Sequence, residues 1–357
     1  MKKSSKFLAA NFLGLACCLS LTLAPAVAAP NVGFITRIEG DVEIYTDPSA
    51  ASAEGEAPHI KFDEKFYSIK KGKRGFKIKN GFIVKAGDKS KARIVFKNGD
   101  QFTVSANSAY SIDWQKEKQS FIVELFFGNV RALIKKDGPR AKTEVRTRSA
   151  VMGVRGTDFN VNAWGKTGGT ALTVLRGSVE IKQAGATPEQ KPVVVPAGST
   201  AKVNAMAKAI KPDDATESKE HKAKIVEQPK IAVAQTTKQD LIIIQHSTKV
   251  KKAVLPMNSE GENVTASEEE KEIALLENKA VEATLEDIKT YNPKLYETIK
   301  AKHGEGEANR IVDVDEIQAE TVRALFIDAP SDPGNTKPVL DDLESVDVYE
   351  KYKWGDK

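Results

Sequence analysis

From Val32 to Val203 the chain is a succession of short runs in which apolar and polar residues alternate, broken at intervals by glycine. A period of two places alternate side chains on opposite faces of a strand, and runs this short are too brief for ordinary helices. The clearest unit is Ala92-Arg-Ile-Val-Phe96, then Lys97-Asn98-Gly99-Asp100, then Gln101-Phe-Thr-Val104. Asn and Gly both tolerate positive φ, so Asn98-Gly99 predicts a hairpin with a type I′ turn. A smaller pattern recurs as Ile38-Glu-Gly40-Asp-Val42-Glu-Ile44, Phe126-Phe-Gly128-Asn-Val130-Arg-Ala132 and Leu175-Arg-Gly177-Ser-Val179-Glu-Ile181. Glycine within strand pattern marks a bulge or tight bend, and the irregular spacing predicts similar corners in one sheet structure, not a solenoid.

The expected fold is mainly β: an antiparallel module over residues 29–204, followed by a Lys/Pro-rich linker over 205–257. Within that linker Leu241-Ile-Ile-Ile244 reads as one added strand. A small acidic α-helical region is expected over 258–330. There Ser267-Glu-Glu-Glu270 forms a capping box ahead of Ile273, Leu276, Ala280, Val281, Leu285 and Ile288 on one helical face. Asn292-Pro293 starts a second helix and a third runs from Asp315 to Phe326. These apolar faces are narrow, so the helices need a partner surface such as the β body. Residues 331–357 read as an extended tail.

Lys2, Lys3 and Lys6 precede an apolar run from Phe7 to Leu23 that ends in Ala26-Val27-Ala28. This predicts a signal peptide over residues 1–28, cut between Ala28 and Ala29, and a periplasmic or secreted protein with no further membrane span. Lipid attachment at Cys17 is a minor alternative. Both cysteines, Cys17 and Cys18, lie in this leader, so disulfides and cysteine chemistry are not expected in the mature chain.

Charge is unevenly placed. The last hundred residues hold 25 Asp and Glu against 12 Lys and Arg, a net of −13. The whole chain is at +5 and the leader supplies +3, so residues 29–257 stand at +15. A basic body with an acidic tail attracts anionic envelope polymers or its own tail.

The most distinctive stretch is Arg146 to Val161. Gly153 and Gly156 flank Val154 and Arg155, a spacing that marks positive φ or close approach, and Arg155 and Asp158 are spaced for an ion pair across the turn. Thr147-Arg-Ser-Ala-Val-Met-Gly-Val-Arg-Gly-Thr-Asp-Phe-Asn-Val161, followed by Ala171 to Ile181, resembles the hallmark of the FecR domain family. Asn98 to Val104 and Leu125 to Arg131 match that family's hairpin and preceding strand; the resemblance is close over about 85–182 and looser over 32–203. It implies a β-rich, extracytoplasmic, non-catalytic module. Founding members of the family sit behind a membrane helix and relay a receptor signal to a sigma factor. This chain looks more like the secreted members, having neither a cytoplasmic domain before its apolar segment nor a second spanning stretch.

The motif residues Gly153, Val154, Arg155, Gly156, Thr157, Asp158 and Phe159 are read as structural, with Arg155 held by carboxylates and carbonyls, and Thr157 and Asp158 closing the turn. Four scattered histidines, His59, His221, His246 and His303, and no Gly-x-Ser-x-Gly elbow give no catalytic residues, no metal ligands and no cofactor site. Asp313-Val-Asp315-Glu316 lacks the glycine and distal glutamate of a calcium loop. Lys70, Lys71, Lys73, Arg74 and Lys77, interleaved with Phe62, Phe66, Tyr67, Phe76 and Phe82 in the stretch Lys61 to Lys85, form a candidate binding face. In an exported protein its ligand is an anionic glycan or lipid headgroup and not nucleic acid; the structural alternative is a solvated face with edge-protecting lysines. The functional expectation is therefore an envelope interaction or signalling protein with a protein partner. Anionic-polymer binding is the alternative, and a hydrolase with a dispersed site stands third. A pocket of convergent polar groups near Arg155 would revive the last.

Overall fold

The computed structural model describes residues 31–49, 59–62, 64–115, 120–136, 142–204, 231–252, 267–303 and 312–331. The leader with Cys17 and the Ala28–Ala29 junction, residues 205–230 and 253–257 of the expected linker, and the tail after 331 lie outside the described residues.

The described strands form two sheets joined through one long strand. Across the first sheet run β5 (Lys77–Lys79), β1 (Asn31–Glu39), β7 (Lys91–Phe96), β8 (Gln101–Val104) and the second half of β10 (Ser120–Leu133). It continues through β13 (Asp158–Ala163), β14 (Thr170–Arg176), β17 (Ser199–Val203) and β18 (Ala232–Gln235). The second sheet begins β3 (His59–Phe62), β4 (Lys65–Lys71), β2 (Val42–Ser49), β6 (Ile83–Ala86), β9 (Ser108–Gln115). It passes through the first half of β10 to β11 (Lys142–Arg146), β12 (Ala150–Val154), β15 (Ser178–Gln183) and β16 (Val193–Pro196). All these pairings are antiparallel except β10 with β11.

Alternation decides which face is dry. Ile35, Ile94, Phe102 and Phe159 of the first sheet share one core with Ile44, Val84, Tyr110 and Phe121 of the second, as in a sandwich. Phe121 lies edge-on to both Phe96 and Phe102, with centroids 4.9 and 5.8 Å apart.

The recurring glycine pattern marks where the chain changes sheets. Gly40 (φ +71°) separates β1 from β2, Gly128 (φ +89°) bends β10, and Gly177 (φ +82°) separates β14 from β15. Positive φ admits the turn, and close packing excludes a Cβ, which would lie 2.5 Å from Ser90 Oγ at Gly40 and 2.5 Å from Ser108 Cα at Gly128. The first two corners share a further device. The amides of Asp41 and Asn129 each donate to a serine hydroxyl, Ser90 and Ser108, at 2.8 Å. Each hydroxyl in turn donates to the carbonyl two residues earlier.

The hairpin at Asn98-Gly99 forms between β7 and β8, but the turn differs from type I′ because only Gly99 is left-handed. Asn98 Oδ1 accepts the Asp100 amide at 3.1 Å, and Phe96 N–H donates to Asp100 O. This local bond closes a three-residue loop while Asn98 keeps an ordinary φ.

Among the described residues four helices follow: α1 (Lys238–Thr248), α2 (Glu268–Tyr291), α3 (Pro293–His303) and α4 (Val314–Phe326). Part of the expected linker is thus regular structure, since Ala232–Gln235 extends the first sheet and Leu241-Ile-Ile-Ile244 is helical, not a strand. The Ile run favours strand locally, but Thr237 caps the Asp240 amide, and Leu241, Ile242 and Ile244 bury against Leu175, Val322 and Phe326. Ser267 caps α2 through the Glu270 amide, as the sequence predicts. The narrow apolar faces find their partner in the first sheet's outer side, where Leu133 packs with Val281, Ile288, Leu295 and Ile317.

Candidate functional site

The outer face of the first sheet carries a row of polar residues in direct cross-strand register. Arg37 lies opposite Arg93, Arg93 opposite Thr103, Thr103 opposite Arg131, and Arg131 opposite Asn160. The row continues through Thr173 to Thr200, and all seven residues are buried. Buried arginines need partners, and like charges facing each other across strands repel.

The partners come from the acidic C-terminal region. Asp315 bridges the two opposed arginines, 2.9 Å from Arg37 Nη1 and 2.5 Å from Arg93 Nη2. Asp313 grips Arg37 with both oxygens, at 3.0 and 2.7 Å, and Glu277 accepts from Arg37 Nε at 3.2 Å. Burial works against the Arg37 charge, but the hydrogen bond and charge of Asp313, with Asp315 and Glu277, hold its pKa above the ordinary value. Asp313 is also the N-cap of α4: its side chain accepts the Asp315 amide, and Glu316 accepts the Asp313 amide. The acidic cluster that lacks calcium-loop spacing therefore starts a helix and clamps the sheet at once. Among the described residues no His, Cys, Asp and Glu are grouped to hold a metal.

Two further bonds tie helices to this face. Arg131 donates to Gln318 O at 3.3 Å, and Lys91 donates to His246 O and Lys249 O at the end of α1. Burial lowers the Lys91 pKa, and a cation is favourable against the carbonyls at a helix C-terminus.

The Val154 to Phe159 corner carries the chain from β12 in the second sheet to β13 in the first. Gly156 is left-handed at φ +66° and a Cβ there would approach Lys136 Cβ to 2.6 Å, whereas Gly153 sits in ordinary β conformation with nothing closer than 3.9 Å. The expected Arg155–Asp158 pair does not form. Asp158 is buried and bound by Arg131 Nε and Nη2 at 2.9 and 2.7 Å, because β10 places that arginine beside it inside the sheet. Arg155 is exposed and donates to Lys136 O at 3.3 Å. Thr157 is buried and, among the described residues, its hydroxyl has no hydrogen-bond partner, so the expected closure of the turn by Thr157 and Asp158 side chains gives way to the Ile134 amide donating to Thr157 O. Val154 and Phe159 face the core.

The Lys61 to Lys85 stretch separates bases from aromatics. Lys70, Lys71, Lys73 and Lys77 are exposed, and Lys70 lies 3.5 Å from Asp47. Arg74 pairs with Glu270 of α2 at 2.9 Å. Tyr67 and Phe82 are buried, and Phe62 packs edge-on to Phe126 at 4.8 Å. Tyr67 and Phe62 pack with Tyr45, Ile83 and Ala109 in a cluster of their own, and Phe82 joins the core between the sheets.

Sequence reading missed the row Arg37, Arg93, Arg131. Its signal is that each arginine interrupts an apolar stretch of strand, next to Ile38, Ile94 and Ala132, in a basic body that precedes an acidic region.

No curated protein matches the chain. Two crystal structures of a provisionally assigned anti-sigma factor from Parabacteroides distasonis ATCC 8503 are similar at 17% identity and a TM-score of 0.34, over 46% of this chain and 64% of theirs. The chain therefore spans a little under two thirds of the length of those structures. No helix among the described residues is long and apolar enough to cross a membrane. Residues 83–180, from β6 through the Arg131–Asp158 pair to β15, match the family described as FecR protein.

Proposed function

We propose that this chain is a non-enzymatic, extracytoplasmic interaction protein of FecR-domain type, a β scaffold that holds protein partners in a signalling or regulatory role. The match of residues 83–180 to the FecR family carries the class. The leader-like N-terminus supports a periplasmic or secreted location. The geometry supports a division of surfaces. The acidic helices occupy the arginine row, so an external partner has to use another face. The strands β16 and β18 end their two sheets, and Val194 and Val233 on them are 57% and 42% exposed. Exposed apolar residues on sheet edges suit a protein that adds there.

Crosslinking in envelope preparations, read by mass spectrometry, tests this. A protein crosslinked near Val194 and Val233, and lost in the V194K/V233K double variant with an unchanged melting temperature, is expected. Crosslinks that persist in that variant would overturn the edge as the docking surface. The anionic-polymer reading draws on the exposed Lys71, Lys73 and Lys77. Retention on such a polymer unchanged when all three become Gln would rule it out.

A further inference from the structure

Between the FecR motif corner and the helices lies a cavity of about 420 Å³. Its walls include Lys136, Arg155, Arg176, Tyr291, Leu295 and Leu325. Three of the six are cations from three different segments, and the apolar remainder comes from the α2–α3 junction, α3 and α4.

Arg176 is the unusual member. It is 8% exposed, yet among the described residues no carboxylate, carbonyl or hydroxyl accepts from its guanidinium within hydrogen-bond distance. The two carboxylates that act on it electrostatically are Asp158 and Asp287. Asp158 is engaged on both oxygens by Arg131, and Asp287 accepts the Lys136 amide at 3.1 Å. Its nitrogens are not among the fully enclosed atoms that lack a partner, so the spare donors face the cavity, where a ligand can accept from them. The cavity it lines is where such a partner fits. Lys136 Nζ stands 3.1 Å from the centroid of the Tyr291 ring, and this contact holds a second positive charge at the cavity wall.

We propose that this cavity is a binding site for a small organic anion, with a carboxylate or phosphate head on Arg176 and a short apolar body against Leu295 and Leu325. Volume and lining suit this class: pockets of a few hundred Å³ with a few convergent polar groups take small molecules, and although the pocket lies at Arg155, among the described residues no carboxylate or histidine lines it to serve a hydrolase as general base. Cations converge there to bind charge. The inference is independent of the docking reading above, since the site lies between the protein's own motif corner and its own helices and not at the β16–β18 edge.

Calorimetric titration of the full-length chain with hexanoate, hexyl phosphate and neutral hexanamide tests it. Saturable one-to-one binding of hexanoate or hexyl phosphate, and not of hexanamide, is expected, and whichever anion binds identifies the head group. Arg176→Met should weaken that binding by about 10- to 100-fold, the worth of charge-assisted hydrogen bonds. Arg155→Gln, a change at an exposed side chain of the wall, should weaken it less. Without ligand, Arg176→Met should melt at or above the wild-type temperature, because it removes a buried charge that lacks a hydrogen-bonded partner. A lower melting temperature would make Arg176 structural and overturn the proposal. So would failure of both anions to bind wild type, equal binding by Arg176→Met, or hexanamide binding as well as the anions.

Discussion

Arg37 of β1 and Asp313 at the head of α4 are 276 residues apart in sequence and 2.7 Å apart in space. One carboxylate satisfies a buried arginine and the first free amides of a helix, so docking and helix initiation share a residue. Asp313→Asn keeps an efficient cap and removes the charge; it should destabilise by about 1.5–3 kcal/mol. Asp313→Ala removes both and should cost about 1 kcal/mol more. Urea denaturation of the two variants separates these contributions, and equal stabilities would show that the cap contributes nothing.

The same contact predicts acid sensitivity. Burial alone would raise the Asp313 pKa, but the hydrogen bond and charge of Arg37 outweigh it and hold the group below its ordinary value of 3.8. A carboxylate depressed in the folded state contributes stability that is complete above its unfolded pKa and is lost as pH falls through the folded one. Amide exchange of α4 should therefore be slow and constant from neutral pH down to about pH 5 and accelerate, beyond the intrinsic pH trend, in more acid solution. Protection that is unchanged at pH 3 would contradict the assignment.

Arg131 and Asp158 are both essentially inaccessible, at 0 and 1% exposure. Asp158→Asn leaves a buried arginine without its counter-charge and should destabilise by about 3–5 kcal/mol. Replacing both by apolar residues, as Arg131→Met with Asp158→Leu, should recover most of that loss. Thermal melts of the single and double variants check this, and a double variant less stable than Asp158→Asn would show that the pair contributes more than mutual satisfaction.

Gly128 tests the sheet-changing corner. Alanine there would be left-handed and would overlap Ser108, whose hydroxyl holds the Asn129 amide. The backbone conformation alone costs about 1–3 kcal/mol. Gly185 is also left-handed, but nothing lies within 4 Å of where its Cβ would stand, so Gly185→Ala should carry only the backbone part. Circular dichroism melts of both variants would show the larger loss at Gly128.

The β class, the corner glycines, the α2 cap and the FecR resemblance are all legible in the chain before it folds, because each is written in neighbouring residues, whereas the change of sheet at those corners is not. Alternation, positive-φ glycine and a capping serine act over a few positions and need no distant partner. Where the charges meet is settled only by the packing of the sheets and helices. Arg155 and Asp158 are close in sequence, yet Asp158 turns to Arg131 because β10 and β13 pair in the sheet. Arg37 and Arg93 read as ordinary strand residues until register sets them opposite each other and Asp315 joins them. The Leu241 to Ile244 run reads as strand until a cap and a covering surface make it helix. Burial supplies the reason: an arginine in a sheet face is tolerable in water, but under a helix it requires a carboxylate, and only the folded chain brings one from its far end.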